Sequence, residues 1–179
     1  MTFSQRVNQL FFEVDLSNKS GSLIDTLSKV SQLNYVGNGV RQWNLNVAME
    51  MKSDKAWSSR HDFSFTESPL PDLKIENGNI EVTLGETNSL KKILNLNWRL
   101  QFSDKAAATL YFETLKQLFG DVATNKKFEH DKRAGDIAQF STRNPIDTGI
   151  RDITLFLSKS PMTKKYEVNL LFGSEFMNE

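Results

Sequence analysis

The sequence predicts an α+β protein in which two related β-α-β-β halves build a twisted antiparallel sheet, with two helices packed on one face. Three observations carry this prediction. Apolar and polar residues alternate with a period of two in Gln42–Lys52 and again in Leu94–Phe102. Two other segments, beginning near Ser22 and Ser103, have the spacing of amphipathic helices. The order of elements repeats after roughly 86 residues, which is far longer than a solenoid period.

In the first half, the element order is a strand, a helix and a hairpin. A short helix is predicted over Thr2–Leu10, followed by a strand. A second helix runs from Ser22, whose side chain is placed to cap it. The hairpin pairs Gln42–Lys52 with Arg60–Thr66, and Trp57 lies in the polar loop between them. The apolar positions of the strand after the first helix are Phe12, Val14 and Leu16.

The second half repeats this order with stronger patterns. The strand Leu94–Phe102 leads into a helix that begins at Ser103 or Asp104 and ends at Gly120, a residue type favoured after a helix C-terminus. The hairpin pairs Asp152–Lys159 with Lys164–Phe172. Further strands are indicated by alternating residues, namely Ile80, Val82 and Leu84, and then Ile137 and Phe140.

We interpret residues 1–179 as a single domain with an internal duplication of 9–68 and 94–176. Residues 69–79, which contain Pro69, Pro71 and the turn dipeptide Asn77-Gly78, are predicted to connect the halves. The alternative is that two generic strand-helix units share their pattern without common ancestry.

Composition excludes several classes of function. Lys and Arg total 22 and Asp and Glu total 22, so the chain lacks the basic excess expected of a nucleic-acid binder. It contains no Cys, which removes disulfides, thiolate nucleophiles and cysteine zinc sites. No apolar window is long enough to span a bilayer, so no membrane insertion is expected. The compartment is unknown: the chain as written indicates a soluble cytoplasmic protein, or an extracytoplasmic one if Met1 replaces a removed signal peptide.

Catalytic motifs give no lead. No phosphate-binding loop, dinucleotide fingerprint, zinc-protease motif or nucleophile elbow is present. The two histidines, His61 and His130, each adjoin an Asp, but neighbouring strand residues point to opposite faces, so neither Asp is expected to orient its histidine. We therefore predict no catalytic residue, no metal site and no cofactor, and we favour a protein that is not an enzyme.

Four residues are candidates for binding: Trp57, Arg60, His61 and Phe128. A Trp in a polar loop near an Arg resembles the composition of protein-binding hot spots, and Phe128 lies in an equally polar segment. Loop aromatics also cover the open ends of sheets, and that reading stays open for both. The wet strand faces add the polar row Asn95, Asn97, Arg99 and Gln101.

The resulting hypothesis is a non-enzymatic module that binds a protein partner through its exposed sheet face or its hairpin loops. One alternative is a binder of small molecules or carbohydrates, or a hydrolase, with a carboxylate pair in a cleft between the halves. Another is a self-associating, homo-oligomeric structural subunit in which an exposed edge strand pairs with its copy. In the last strand, Lys165–Phe172, Leu170, Leu171 and Phe172 follow one another, so both of its faces are expected to be partly buried.

Overall fold

The computed structural model describes residues 1–16, 22–37, 39–53, 55–143 and 150–173, and within them the chain forms four helices and nine strands. The helices are α1 (Phe3–Leu10), α2 (Leu23–Ser28), α3 (Leu45–Glu50) and α4 (Lys105–Gly120). The strands are β1 (Asn34–Tyr35), β2 (Gln42–Trp43), β3 (Trp57–Phe65), β4 (Asn77–Glu86), β5 (Lys91–Phe102), β6 (Asn125–Asp131), β7 (Gly135–Ser141), β8 (Asp152–Lys159) and β9 (Tyr166–Phe172).

All nine strands join one antiparallel sheet, which confirms the predicted class. The spatial order is β1-β3-β4-β5-β9-β8-β7-β6, and β2 also pairs with β3. The predicted hairpin of β8 with β9 is present, with Leu155 opposite Leu170. Strand β9 lies between β5 and β8, so the last strand of the chain is not an edge of the sheet.

One face of the sheet carries the main core. Because side chains alternate along each strand, the residues opposite one another on six strands form a single buried row. This row consists of Phe63, Ile80, Trp98, Leu170, Leu155 and Ala138. Helices α1, α2 and α4 contribute buried residues to the same core cluster. The opposite face presents the predicted polar row of β5, which is only partly buried.

Helix α3 lies on that opposite face, at one end of the sheet. Its residues Val47 and Ala48 are buried with Ala56 in a small cluster separate from the main core. The Cα–H direction of Gly85 in β4 points at Met51 Sδ and Leu94, with only 2.9 Å from an added Cβ to the sulfur. A larger residue at position 85 would therefore require the side chains of Leu94 and Met51 to shift.

Several predicted elements of the first half are wrong. Residues 12–16 form turns instead of a strand, because Phe12 and Glu13 take left-handed backbone angles with φ of 54° and 66°. In place of the strand Gln42–Lys52, the chain forms the two-residue β2 followed by α3. Helix α2 ends at Ser28, so Val30 and Leu33, which continue the helical spacing of apolar residues in the sequence, lie beyond it. The turn that the sequence predicts at Ser17-Asn18-Lys19 lies outside the described residues.

Two further assignments are corrected near the middle of the chain. Asn77 and Gly78, predicted as a turn in the connector, begin strand β4 and pair with Gln101 and Leu100. Phe128, predicted in a polar loop, lies at the centre of strand β6. The predicted helix from Asp104 to Gly120 is confirmed, with Asp104 accepting a hydrogen bond from Ala107 N at 2.9 Å as its N-cap. The internal duplication stays a prediction.

Candidate functional site

The outer edge of β3 pairs with two short strands, β1 at one end and β2 at the other. At one end Tyr35 lies opposite Phe63, and at the other Trp43 lies opposite Trp57. Directly opposed residues on antiparallel strands share a face, so both aromatic pairs point to the same side of the sheet. The edge is thereby covered by short strands whose own side chains are exposed.

This edge concentrates exposed apolar side chains. Half of the large apolar residues that are exposed in the described part of the chain lie between positions 35 and 49. We call this set the aromatic surface: Tyr35, Val36, Val40, Trp43, Leu45 and Met49. Trp43 is 59% exposed, although a tryptophan is among the most costly side chains to leave in water.

Trp57 lies directly opposite Trp43 in the pairing of β2 with β3. It is half-buried as the first residue of β3, so its predicted position in a loop is wrong. The guanidinium carbon of Arg41 lies 4.6 Å from the centroid of its ring, within the range of a cation–π contact. Arg41 Nε also lies 3.2 Å from Glu86 Oε2, which faces Trp57 across the β3–β4 ladder. These contacts hold Arg41 beside the exposed Trp43.

His61 joins the aromatic surface through Tyr35. Its Nδ1 lies 2.9 Å from the Tyr35 hydroxyl and its Nε2 lies 3.1 Å from Ser59 Oγ. Gly39, at φ 58°, passes so close that an added Cβ would lie 2.8 Å from the imidazole. A Ser–His contact of this length can serve nucleophilic catalysis, but Ser59 is buried and its oxygen faces the fold. The contacts of His61 with Ser59 and Tyr35 instead hold the Tyr35 hydroxyl in place.

Arg60 points to the opposite face of the sheet, where it joins two carboxylates. Its Nε lies 2.9 Å from Asp62 Oδ2 and its Nη2 lies 2.7 Å from Glu81 Oε2. Burial alone would raise the pKa of Asp62, but hydrogen bonds from Arg60 and Asn79 outweigh burial and hold that pKa below its ordinary value. Asp62 and Glu81 lie opposite each other on β3 and β4, and together with Arg60 these two carboxylates form an ionic cluster.

Phe128 lies at the other end of the sheet, so the structure does not bring all four predicted binding residues together. It is 51% exposed on β6, the strand farthest from β3. Its ring packs edge-on against Phe140 at 5.9 Å and lies 5.1 Å from Lys116 Nζ. On the same strand, His130 Nδ1 bonds Asp136 at 2.6 Å, not the adjacent Asp131.

Sequence reasoning missed Trp43, Arg41 and the exposed residues of α3. The missed signal was Asn44, an N-cap residue type, followed by Val47, Ala48 and Met51 at helical spacing. Asn44 Oδ1 accepts hydrogen bonds from the backbone N–H groups of Asn46 and Val47. Read as a helix, this segment turns Leu45 and Met49 away from the buried cluster.

In the residues that the structure describes, no group of three or more His, Asp or Glu side chains is placed to hold a metal ion. No helix among them is both long and apolar enough to span a membrane. Comparison of the chain with protein-family models, curated proteins and solved structures finds no match.

Proposed function

We propose that this protein is a non-enzymatic binding module that engages a protein partner through the aromatic surface. The observation that carries the proposal is Trp43, a large ring left 59% exposed on β2 and accompanied by five other exposed large apolar residues between positions 35 and 49. Apolar side chains that gather exposed in one part of a protein mark interaction sites. The proposal narrows the expectation from sequence to one edge of the sheet.

The composition and rigidity of the aromatic surface support this function. Trp, Tyr and Arg are the residue types enriched in binding hot spots, and Trp43, Tyr35 and Arg41 lie together along β3. Each is held by a specific contact before any partner arrives: Trp43 by the ladder to β3, Tyr35 by His61, and Arg41 by Trp57 and Glu86. Groups that are already ordered lose little conformational entropy on binding.

Charge pairing favours a protein over a lipid surface as the partner. Attraction to anionic lipid needs cations whose field is not cancelled. Arg41 is paired with Glu86, Lys92 lies 3.8 Å from Glu50, and Arg60 is paired on the opposite face. An apolar surface with neutralised flanks suits a partner that presents apolar side chains of its own.

The ionic cluster gives less support to the alternative of a hydrolase. A general acid must carry a proton near neutral pH, yet the pKa of Asp62 is lowered and both carboxylates are bound by Arg60. The cluster also lies on the opposite face from Trp57 and His61, so it shares no site with them.

The test uses a photo-crosslinking residue at position 43 in the cells that produce the protein. Met162, which is 91% exposed in the β8–β9 turn, provides the matched control position. A protein crosslinked from position 43 and not from 162 is then purified, and its affinity for the wild-type chain is measured by calorimetry. We expect Trp43→Ala to weaken binding about 30-fold, as for a hot spot worth about 2 kcal/mol.

The control variant Met162→Ala is expected to leave the affinity unchanged. Three results would contradict the proposal: identical crosslinks from both positions, a purified partner that binds Trp43→Ala as tightly as the wild type, or binding to anionic vesicles that Trp43→Ala abolishes. The last result would replace the protein partner with a membrane surface.

A further inference from the structure

The opposite edge of the sheet is β6, a strand of seven residues that are all exposed. Among the described strands, β7 is the one that pairs with β6. An edge strand offers a row of backbone donors and acceptors to any chain that can pair with it. Strand β6 therefore differs from the β3 edge, which β1 and β2 already cover.

The hydrogen-bonding pattern fixes which residues of β6 face outward. Thr142 N donates to Arg151 O at 3.0 Å, so the even-numbered residues of β7 bond to β8 and the odd-numbered ones bond to β6. Their partners in β6 are also odd-numbered, as in the pair Lys127 and Gln139. Because backbone groups alternate along a strand, the N–H and C=O groups of Lys126, Phe128 and His130 point away from the sheet.

We propose that β6 pairs antiparallel with the β6 of a second copy of this chain, about a two-fold axis at Phe128. In this register Phe128 lies opposite Phe128, and Lys126 lies opposite His130 of the second copy. All three outward-facing residues then pair with outward-facing residues, as the antiparallel pattern requires. Two nine-stranded sheets become one continuous sheet.

The charges on β6 favour this register over the two registers in which the axis is moved by one residue. With the axis at Phe128, Lys127 lies opposite Glu129 of the second copy, twice, in pairs without backbone hydrogen bonds, where side chains approach most closely. Moving the axis by one residue would place Lys127 opposite Lys127, or Glu129 opposite Glu129. Like charges directly opposed are destabilising. Lysines on an edge usually block unrelated strands, and here Lys127 is matched by Glu129 of the second copy.

The α4 side of the strand fits the same arrangement. A groove of about 400 Å³ lies between α4 and β6, and it is lined by Leu110, Lys116 and Phe128 among others. Leu110 is 58% exposed and Phe128 is 51% exposed. Pairing about Phe128 brings two exposed rings together on the helix-bearing face, so it removes apolar surface from water at the centre of the contact.

The first measurement is the molar mass of the purified chain by light scattering and sedimentation over a concentration series. We expect a dimer of twice the 20.4 kDa chain mass. Lys127→Glu places Glu opposite Glu129 at both ends and should weaken the dimer by about 10-fold or more. The double variant Lys127→Glu, Glu129→Lys reverses each pair and should return the dimer to within about 3-fold of the wild type.

Two further variants separate pairing from folding. Lys132→Glu makes the same change of charge in the β6–β7 turn and should leave the dimer intact. Lys126→Pro removes an N–H that points outward, so it should abolish the dimer while the ladder to β7 and the circular dichroism spectrum are preserved. A chain that stays monomeric, a dimer unaffected by Lys127→Glu or Lys126→Pro, or a double variant that fails to re-form the dimer would overturn the proposal.

Discussion

Two segments with the same alternating pattern, Gln42–Lys52 and Leu94–Phe102, take opposite structures. The second lies within β5, and its apolar residues Leu96, Trp98, Leu100 and Phe102 are all buried. The first ends as strand after Trp43 and continues as helix α3, with Trp43, Leu45 and Met49 exposed. Alternation alone therefore did not determine the fold of either segment.

The neighbours of each segment explain the difference. Strand β5 pairs with β4 along its length and with β9 over Leu96–Phe102, so most of its backbone groups have a strand partner and one of its faces meets the core. Residues 42–52 lie at the margin of the sheet, where β3 is their one strand neighbour. There the cap at Asn44 decides in favour of a helix, because it satisfies two amides locally.

The largest expected effect comes from comparing the alanine variants of one tryptophan in each segment. Trp98 is fully buried, with its ring 6.0 Å from Phe65 and 6.1 Å from Tyr111. We expect Trp98→Ala to lower the free energy of unfolding by about 3 to 5 kcal/mol, through lost burial and a cavity. Trp43→Ala should change it by less than about 0.5 kcal/mol, since an exposed ring contributes little.

Both values come from urea unfolding followed by circular dichroism, a signal that does not depend on the tryptophan removed. Equal losses for the two variants would show that Trp43 belongs to the core of the fold, and the aromatic surface would then lose its central residue as a binding group.

The fold could be predicted from sequence where local pattern and tertiary contacts agree. Strand β5, helix α4 and the β8–β9 hairpin have strong periodicity, and each packs within the main core. The strand predicted over residues 12–16 was wrong because apolar residues can also alternate in a turn, where Leu16 is buried although the segment forms no strand. Strand β6 was missed because none of its faces is buried, which leaves a polar sequence with no period to read.

The candidate site was predicted only in part. Trp57, Arg60 and His61 do lie together along β3, yet they point to two different faces, and Tyr35 and Trp43 lie on the side of Trp57 and His61. Sequence could not reveal that Trp43 opposes Trp57, because the pairing of distant strands depends on the register of the sheet. Phe128 was a separate feature at the far edge.

A medium effect is expected from removing the cap that decides the structure of the first segment. Asn44→Ala deletes the acceptor of the Asn46 and Val47 amides and should cost about 1 kcal/mol, concentrated in α3. Hydrogen exchange of the amides in residues 47–51 should accelerate several-fold, while exchange in β5 stays unchanged. Asn46→Ala, an exposed helical position without a capping role, is the control; equal acceleration in both variants would contradict the cap as the deciding feature.

The smallest effect concerns an ion pair that anchors the far end of β5. Glu76 Oε2 lies 2.8 Å from Lys165 Nζ, and its other oxygen accepts the backbone N–H of Ser103, just beyond β5. The hydrogen bonds from Lys165 and Ser103 lower the pKa of Glu76 to about 2. Since the pair is partly exposed and screened by solvent, we expect Glu76→Gln to lower stability at pH 7 by less than about 1 kcal/mol.

The pH dependence of that loss follows from the sign of the shift. A carboxyl group whose pKa is lower in the folded chain stabilises the fold above its unfolded pKa, which is about 4.3 for Glu, and this contribution is lost as the pH falls toward 2. The difference in free energy of unfolding between wild type and Glu76→Gln should thus be constant above about pH 5 and shrink below pH 4. Glu113→Gln, which breaks an exposed i,i+3 pair with Lys116 on α4, is the matched control. A Glu76→Gln difference that persists unchanged down to pH 2.5 would mean that the contribution of Glu76 does not depend on the charge of its carboxylate, and the ion pair with Lys165 would then not be what anchors this end of β5.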